Sequence, residues 1–562
     1  MSSKTTISAR LAGTNSFRLA SLYFHTIRYL RPRQIWWRLW YRLYRPRIQS
    51  QPAPPVRDAR GPWAHPLPRE QSLLDPQTAC FLNQRGRIDD PAIWNDAGYD
   101  RLWLYNLHYF DDLNARGADE RNAWHSELIE RWIAENSPDY GNGWEPYPTS
   151  LRIVNWVKWL QAGNPPTENM VDSLATQARW LRRRLEYHIL GNHLLANAKA
   201  LCFAGLFFSG RETDRWHRKG LAILHREIPE QILPDGGHFE RSPMYHLLVL
   251  EDLLDLINLH RRYQAEIPQQ WHDTVTVMLQ WSGVMRHPDG EIPFFNDAAF
   301  GIAPEPEAID DYAQALGFVL PRSVQAPLTH LPQTGYARIE RGSAVMFADM
   351  APVGPNYLPG HAHADTLSFE LSVRGHRIFV NGGTSLYGLT NERERQRATE
   401  NHNTVLIDET NSSEVWSGFR VARRAEIIET YSQNLPDRVR IGGIHDGYKR
   451  LPGSPMHRRD WVLKDRELQI ADKIEGKRNH KIDLFFIVHP QFDVACEGNN
   501  KFVLIQKKEP HLLIFFEIDD SLASSVEPYT WNPAFGYSVE CYRIAGRYTG
   551  SFPALLTSRA TW

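Results

Sequence analysis

The chain has only four cysteines in 562 residues, and Cys80, Cys202, Cys496 and Cys541 stand far apart with no CxxC pair. A disulfide framework and a zinc–thiolate finger are therefore excluded as the basis of the fold. Net charge is nearly absent: 64 Lys and Arg face 65 Asp and Glu, leaving −1. Nothing in that balance draws the chain towards nucleic acid. No run approaches the ~18 apolar residues of a membrane span. The first 15 residues lack the apolar core of a secretory signal, so a cytoplasmic location is expected, with the periplasm as the alternative. Acidic residues are missing from residues 1–57, which carry eleven Lys or Arg. No internal repeat is sharp enough to count structural units.

What is present is an ordinary globular composition, 42% hydrophobic and 23% charged, on a chain long enough for two or three domains. Aromatic residues are abundant at 12%, with 19 Trp and 22 Tyr. Residues 19–30 and 34–44 read as two short helices parted by Pro32, and the second, QIWWRLWYRLY, mixes Trp, Tyr and Leu with Arg. Such a helix suits a peripheral membrane contact through 19–47, or packing on the main domain with its arginines solvated. Packing is the favoured reading, because the aromatics go nearly all round. The Pro-rich 51–63 reads as a linker.

From about 100 to 325 apolar residues recur at three-to-four spacing. Helices are expected over 124–135, 150–162, 170–187, 193–208, 214–227, 243–262 and 269–285. Ser242-Pro243 is a start signal, with Ser as cap and Pro in the first turn. After about 330 the period becomes two, with strands expected over 344–349, 366–374, 420–430, 467–474 and 481–488 among others. The fold class is α+β and multidomain. Helical hairpins with functional loops at one end suggest an α/α toroid (an incomplete barrel of helical hairpins) or a solenoid over 61–328, after a basic aromatic segment (1–60) and before an antiparallel β-sandwich (329–562).

Chemistry concentrates in four stretches. Gly191-Asn192-His193 opens a helix, where Asn192 could simply be the cap. Asp235–Tyr245 ends in the first turn of another helix, and the positive helix end with nearby Arg241 is expected to lower the Tyr245 pKa. PGHAHADTLSFELSV (359–373) would set His361, His363 and Asp365 on one side if already extended. Asn401-His402-Asn403-Thr404 enters a further strand. His363, His402 and Asn381 are a candidate structural zinc set, although a neutral amide is a poor ligand and Asp365 is the alternative third donor.

These stretches, with YNLHYFDDL (105–113), WEPYPTSLRIVNW (144–156) and PFFNDAAFG (293–301), resemble in order and spacing the heparinase II/III-like polysaccharide lyases, and less closely the alginate lyases. The start of the chain is similar to members associated with bacterial exopolysaccharide production. The resemblance implies a toroid followed by a sandwich, and β-elimination on a uronate-containing polysaccharide with no cofactor required for the chemistry. It implies that Asn192 neutralises the uronate carboxylate, that His193 beside it assists or in some members acts as base, that Tyr245 protonates the leaving oxygen and in some members also takes the proton, and that His361 stands at the cleavage site, a histidine serving as base where the C5 configuration is inverted. His363 and His402 match zinc ligands of some members, whose third ligand is usually Asp where this chain has Asn381. Arg241, Trp144, Tyr147 and His238 are candidate substrate contacts.

The lyase reading has two rivals. Paired carboxylates among Asp235, Glu240 and Asp297 would suit a toroidal glycoside hydrolase. A non-catalytic glycan-binding factor of exopolysaccharide assembly would need none of these groups.

Overall fold

The computed structural model describes residues 17–44, 46, 48, 51–321 and 326–562; the reading of the first 15 residues lies outside them. Helices dominate the first part: α1 (17–27), α2 (Pro32–Leu43), α3 (Arg101–Tyr109), α4 (Asn122–Glu135), α5 (Pro146–Gln161), α6 (Glu168–Arg183), α7 (Gly191–Phe207), α8 (Arg211–Gln231), α9 (Pro243–Arg262), α10 (Gln269–Val284) and α11 (Pro306–Ala315). The expected helices all form, most extended by a turn or less.

The helix α7 is the hub. Its sequence GNHLLANAKALCFAGLF carries no polar stripe, and every residue but His193 is buried, as befits a helix surrounded by others. It packs on α5, α8 and α9. Close approach of α8 requires Gly220, whose Cβ would stand 2.6 Å from Cys202 Sγ and 2.7 Å from the Ala198 carbonyl. The one cation in α7, Lys199, is buried against Asp252 (2.7 Å) and Asp255 (2.5 Å), and Asp255 also takes Lys158 at 2.6 Å. Buried charges persist only when paired in this way.

Residues 51–63 are not a free linker. Arg57 N–H donates to the Phe207 carbonyl at 2.8 Å and Gly61 N–H to that of Arg262 at 2.9 Å, fixing the stretch to the toroid. A small three-stranded sheet over residues 73–87, not foreseen in the sequence, follows it.

The second part is two antiparallel sheets face to face. One has eight strands, from Ile427–Asn434 at one edge to Phe492–Gly498 at the other; the second has nine, from Leu328–Leu331 to Ala523–Ala534. Phe369, Phe379, Phe486 and Phe516 interlock between them. The strand expected over 420–430 is instead two, Arg420–Val421 and Ile427–Asn434. Between them the backbone turns to side chains, Arg423 N–H to Glu414 and Ala425 N–H to Ser413. The strand expected from 366 starts only at Phe369. Leu367 lies at φ +64 and Ser368 N–H closes a turn on the Asp365 carbonyl.

The alternation in that strand expects its polar residues to face solvent, and they do not. Ser368, Glu370 and Ser372 are buried beneath the toroid loop after α10. His287 reaches Glu370 Oε2 and Ser372 Oγ, each at 2.8 Å, and Phe294 N–H donates to Glu370 Oε1 at 3.1 Å. Burial lifts the Glu370 carboxyl to about 7. This polar seam locks sandwich to toroid and brings the motif stretches of both together.

Candidate active site

On the toroid side, α7 begins abruptly. Leu190 (φ +76) and Gly191 (φ +58) turn the chain into it. A Cβ at Gly191 would meet Leu358 Cδ2 at 2.2 Å and stand 3.5 Å from Glu240 Oε1, so glycine at this positive φ lets the Leu358 side chain of the sandwich loop close over this end. The cap position is Leu190, so Asn192 sits inside the first turn rather than capping it. The residue is 8% exposed and its carboxamide hydrogen-bonds to none of the described residues. An uncommitted amide at a helix N-terminus can receive an anion.

His193 follows. Its Nδ1 lies 3.0 Å from Glu186 Oε1, while Asn197 Nδ2 holds the other Glu186 oxygen at 3.0 Å. Burial alone would lower the imidazole pKa; Glu186, helped by Glu240, outweighs it and raises it. The Tyr147 ring packs 4.4 Å from that of His193.

At the start of α9, Ser242 Oγ accepts the Tyr245 N–H at 3.1 Å, the expected cap. The Tyr245 ring stacks on His361 of the sandwich, centroids 3.9 Å apart and planes within 16°. Its hydroxyl is 3.0 Å from that of Tyr387. His361 Nδ1 bonds Glu240 Oε2, and among the described residues Glu240 Oε1 has no hydrogen-bond partner. Burial opposes the Glu240 charge, yet His361 more than offsets this and holds the carboxyl below its ordinary range. An ionised carboxylate on Nδ1 fixes the tautomer with the proton there, leaving Nε2 as an acceptor.

The expectation of a lowered Tyr245 pKa is corrected. Burial pushes it well above the ordinary phenol value, and Tyr387 and Asp297 push the same way. Arg241 does not counter this, because its Nε donates to the Thr334 carbonyl at 2.9 Å and the half-buried side chain lies near Tyr336, Asp349 and Asp235. The Tyr245 hydroxyl is therefore neutral in this site.

Below this pair, His361, His363 and Asp365 do not share a side, because the run is a succession of turns rather than an extended strand. His363 Nε2 bonds Asp297 Oδ1 at 2.8 Å, and its Nδ1 meets His402 Nε2 at 3.1 Å. Arg393, from α12 (Asn391–Arg397), clamps Asp297 through two bonds of 2.5 and 2.7 Å. Asp365 accepts the Asn296 N–H at 2.9 Å. The zinc expectation is corrected here. Asn381 spends its amide on the Phe294 carbonyl (2.9 Å) and the Asn403 N–H (3.1 Å), and His363 and His402 bond each other. Among the described residues no three His, Cys, Asp or Glu form a metal-holding group. The donor set does not fit zinc, whose ligands must converge.

Two candidate substrate contacts are interior. Trp144 is buried with its Nε1 on the Asn136 carbonyl, and His238 is buried with its imidazole lowered to about 4 by desolvation. The sequence reading missed Glu186, Tyr387 and Arg393. Each lies outside the motif that holds its partner, and only the fold brings them in.

Comparison with known proteins bears on this arrangement. A profile described as Heparinase II/III N-terminus matches residues 129–315, and one described as Heparinase II/III-like, C-terminal, matches 323–549. A heparin-sulfate lyase of Bacteroides stercoris is 26% identical over 395 residues, 65% of this chain and 56% of its own length. The chain spans about half the length of the heparin-sulfate lyases it matches. FtsZ-localized protein C of Caulobacter vibrioides is 25% identical over 444 residues, 74% of each chain. A solved heparinase III superposes with a TM-score of 0.68 at 17% identity, covering 84% of this chain and 79% of its own, which shows the shared fold.

Proposed function

Because the chain belongs to the heparinase II/III-like family, we propose that it is a polysaccharide lyase cleaving a uronate-containing glycan by β-elimination. The stacking of His361 on Tyr245 across the junction of toroid and sandwich carries this reading. In the proposed step His361 Nε2 takes the C5 proton. The electron pair forms the C4–C5 double bond, the C4–O4 bond breaks, and the Tyr245 hydroxyl supplies the proton to O4. Asn192 and a protonated His193 bind the carboxylate and stabilise the enolate-like charge. The raised His193 pKa supports its part as the cation.

Base and acid stacked ring on ring stand on one side of the sugar. That favours uronates whose C5 hydrogen and O4 are cis, the glucuronate configuration. Arg393 and Arg397 lie near Tyr387, and both are committed, Arg393 to Asp297 and Arg397 to the Ala362 carbonyl. A non-sulfated polymer is therefore the proposed substrate, although the curated relatives are named for heparin sulfate. A hydrolase is disfavoured, because Asp297 is bound to Arg393 and Asp235 to the Thr334 N–H.

A screen of glucuronate and iduronate polymers for ultraviolet-absorbing unsaturated products tests this. Activity on a glucuronate polymer is expected. Cleavage without the chromophore would mean hydrolysis, and binding without cleavage would favour the assembly-factor reading.

A further inference from the structure

The N-terminal helices leave a face that the site does not use. Towards the toroid, α2 is anchored: Trp37 stacks on Tyr187 at 5.0 Å, Tyr41 Oη donates to the Leu185 carbonyl, and Gln34 Nε2 is 3.2 Å from two carbonyls. Away from it, α2 exposes Trp36 (62%), Leu39 (53%), Trp40 (39%) and Leu43 (84%), one helical face by their spacing. The helix α1 adds Phe17 (81%) and Phe24 (65%). Of the 22 large hydrophobic residues exposed among those described, eleven fall between residues 17 and 44. A concentration of this kind marks an interaction surface.

Charge beside these helices is mainly basic, with Glu230 and Glu227 paired to Arg31 and Arg33 and Glu212 to Arg179. A groove of about 550 Å³ is lined by Arg182, Arg183, Arg215, Arg218, Lys219 and Ala222. A second groove joins Arg182, Arg183 and Lys219 to Trp37 and Tyr41, so the basic cluster reaches the anchored side of α2, at the edge of its exposed face. Residues 17–44 contain no acidic side chain. Among the described residues, Arg38, Arg42, Arg182, Arg215, Arg218 and Lys219 have no carboxylate within ion-pair distance. Trp and Leu flanked by unpaired Arg match the interfacial zone of an anionic bilayer, where indole sits at headgroup depth and guanidinium meets phosphate. No described helix is long and apolar enough to cross a membrane, so the contact would be in the plane of the surface.

We propose that α1 and α2, with the arginine cluster of α6 and α8, dock this protein on an anionic phospholipid surface. The proposal is independent of the lyase reading. The test is flotation of the full chain with vesicles of phosphatidylcholine alone or with about 30% phosphatidylglycerol. The chain should float with the anionic vesicles, and raising salt well above physiological strength should release it at least about fivefold by screening. Trp36→Glu with Trp40→Glu, and separately Arg182→Glu with Arg218→Glu, should each reduce the bound fraction about tenfold. All four side chains are at the surface, so unchanged melting temperatures identify folded variants. No flotation with anionic vesicles, or flotation that both double variants leave intact, overturns the proposal. So does a dimer in sedimentation that Trp36→Glu with Trp40→Glu converts to monomer, since a second copy would then cover the face.

Discussion

Tyr245, His361, Glu240 and Asn192 divide the proposed chemistry into parts that single substitutions separate. Tyr245→Phe keeps the ring stack and removes only the proton donor. Turnover should fall about 10²- to 10⁴-fold with an unchanged melting temperature; full activity would remove Tyr245 from the mechanism. Asn192→Ala should lower kcat by about 10²- to 10³-fold, the usual cost of one donor to a developing oxyanion. Glu240→Gln leaves His361 without the carboxylate that fixes its tautomer, and rates should fall in the same range. His193 gives the pH dependence. Its pKa is raised in the fold, so the imidazolium persists above the ordinary histidine range and is lost as pH rises through the raised value. Activity on the alkaline side should fall with that deprotonation, and Glu186→Gln should move the fall to lower pH. An alkaline limb that Glu186→Gln leaves in place would contradict the cationic role.

The elements show which of these residues the sequence could reveal. The start of α9 was legible from Ser242-Pro243 because capping is local chemistry. That of α7 was misread: Asn192 looks like a cap, but Leu190 and Gly191 adopt positive φ and move the start upstream. The period of two before Val373 announced a strand. It could not tell that the polar face is covered by His287, nor that Leu367 breaks the run early. Tyr387, Glu186 and Arg393 carry no local pattern, and long-range folding alone places them. Gly191 gives this scale its prediction. Gly191→Ala drives a Cβ into Leu358 at φ +58, and should cost about 1–3 kcal/mol in stability while lowering kcat by displacing Asn192. A melting temperature equal to wild type would show that the loop over α7 gives way freely.

For the whole molecule, the junction of toroid and sandwich is held by buried polar groups. Asp297→Ala would strand the Arg393 guanidinium, and breaking such a pair costs about 3–5 kcal/mol; a clear fall in melting temperature is expected, and none would show that water solvates this seam. Acid should weaken the fold from higher pH than carboxylates alone would. Burial lowers His363 and His238 to about 4, and His108 and His246 to about 3. The unfolded chain therefore binds more protons below its histidine pKa of about 6.5. Stability should fall as pH drops from about 6.5 towards 4, by up to ~1.4 kcal/mol per unit for each such group. Melting temperatures at pH 7 and 5 check the sign.

The division of labour between Tyr245 and His361 stands or falls on the bond they break. On a glucuronate polymer, unsaturated uronate and new reducing ends should be counted in the same reaction. Elimination gives one unsaturated end for each reducing end, with both lost together in Tyr245→Phe. Reducing ends without unsaturation, or equal yields from Tyr245→Phe and the native chain, would contradict it.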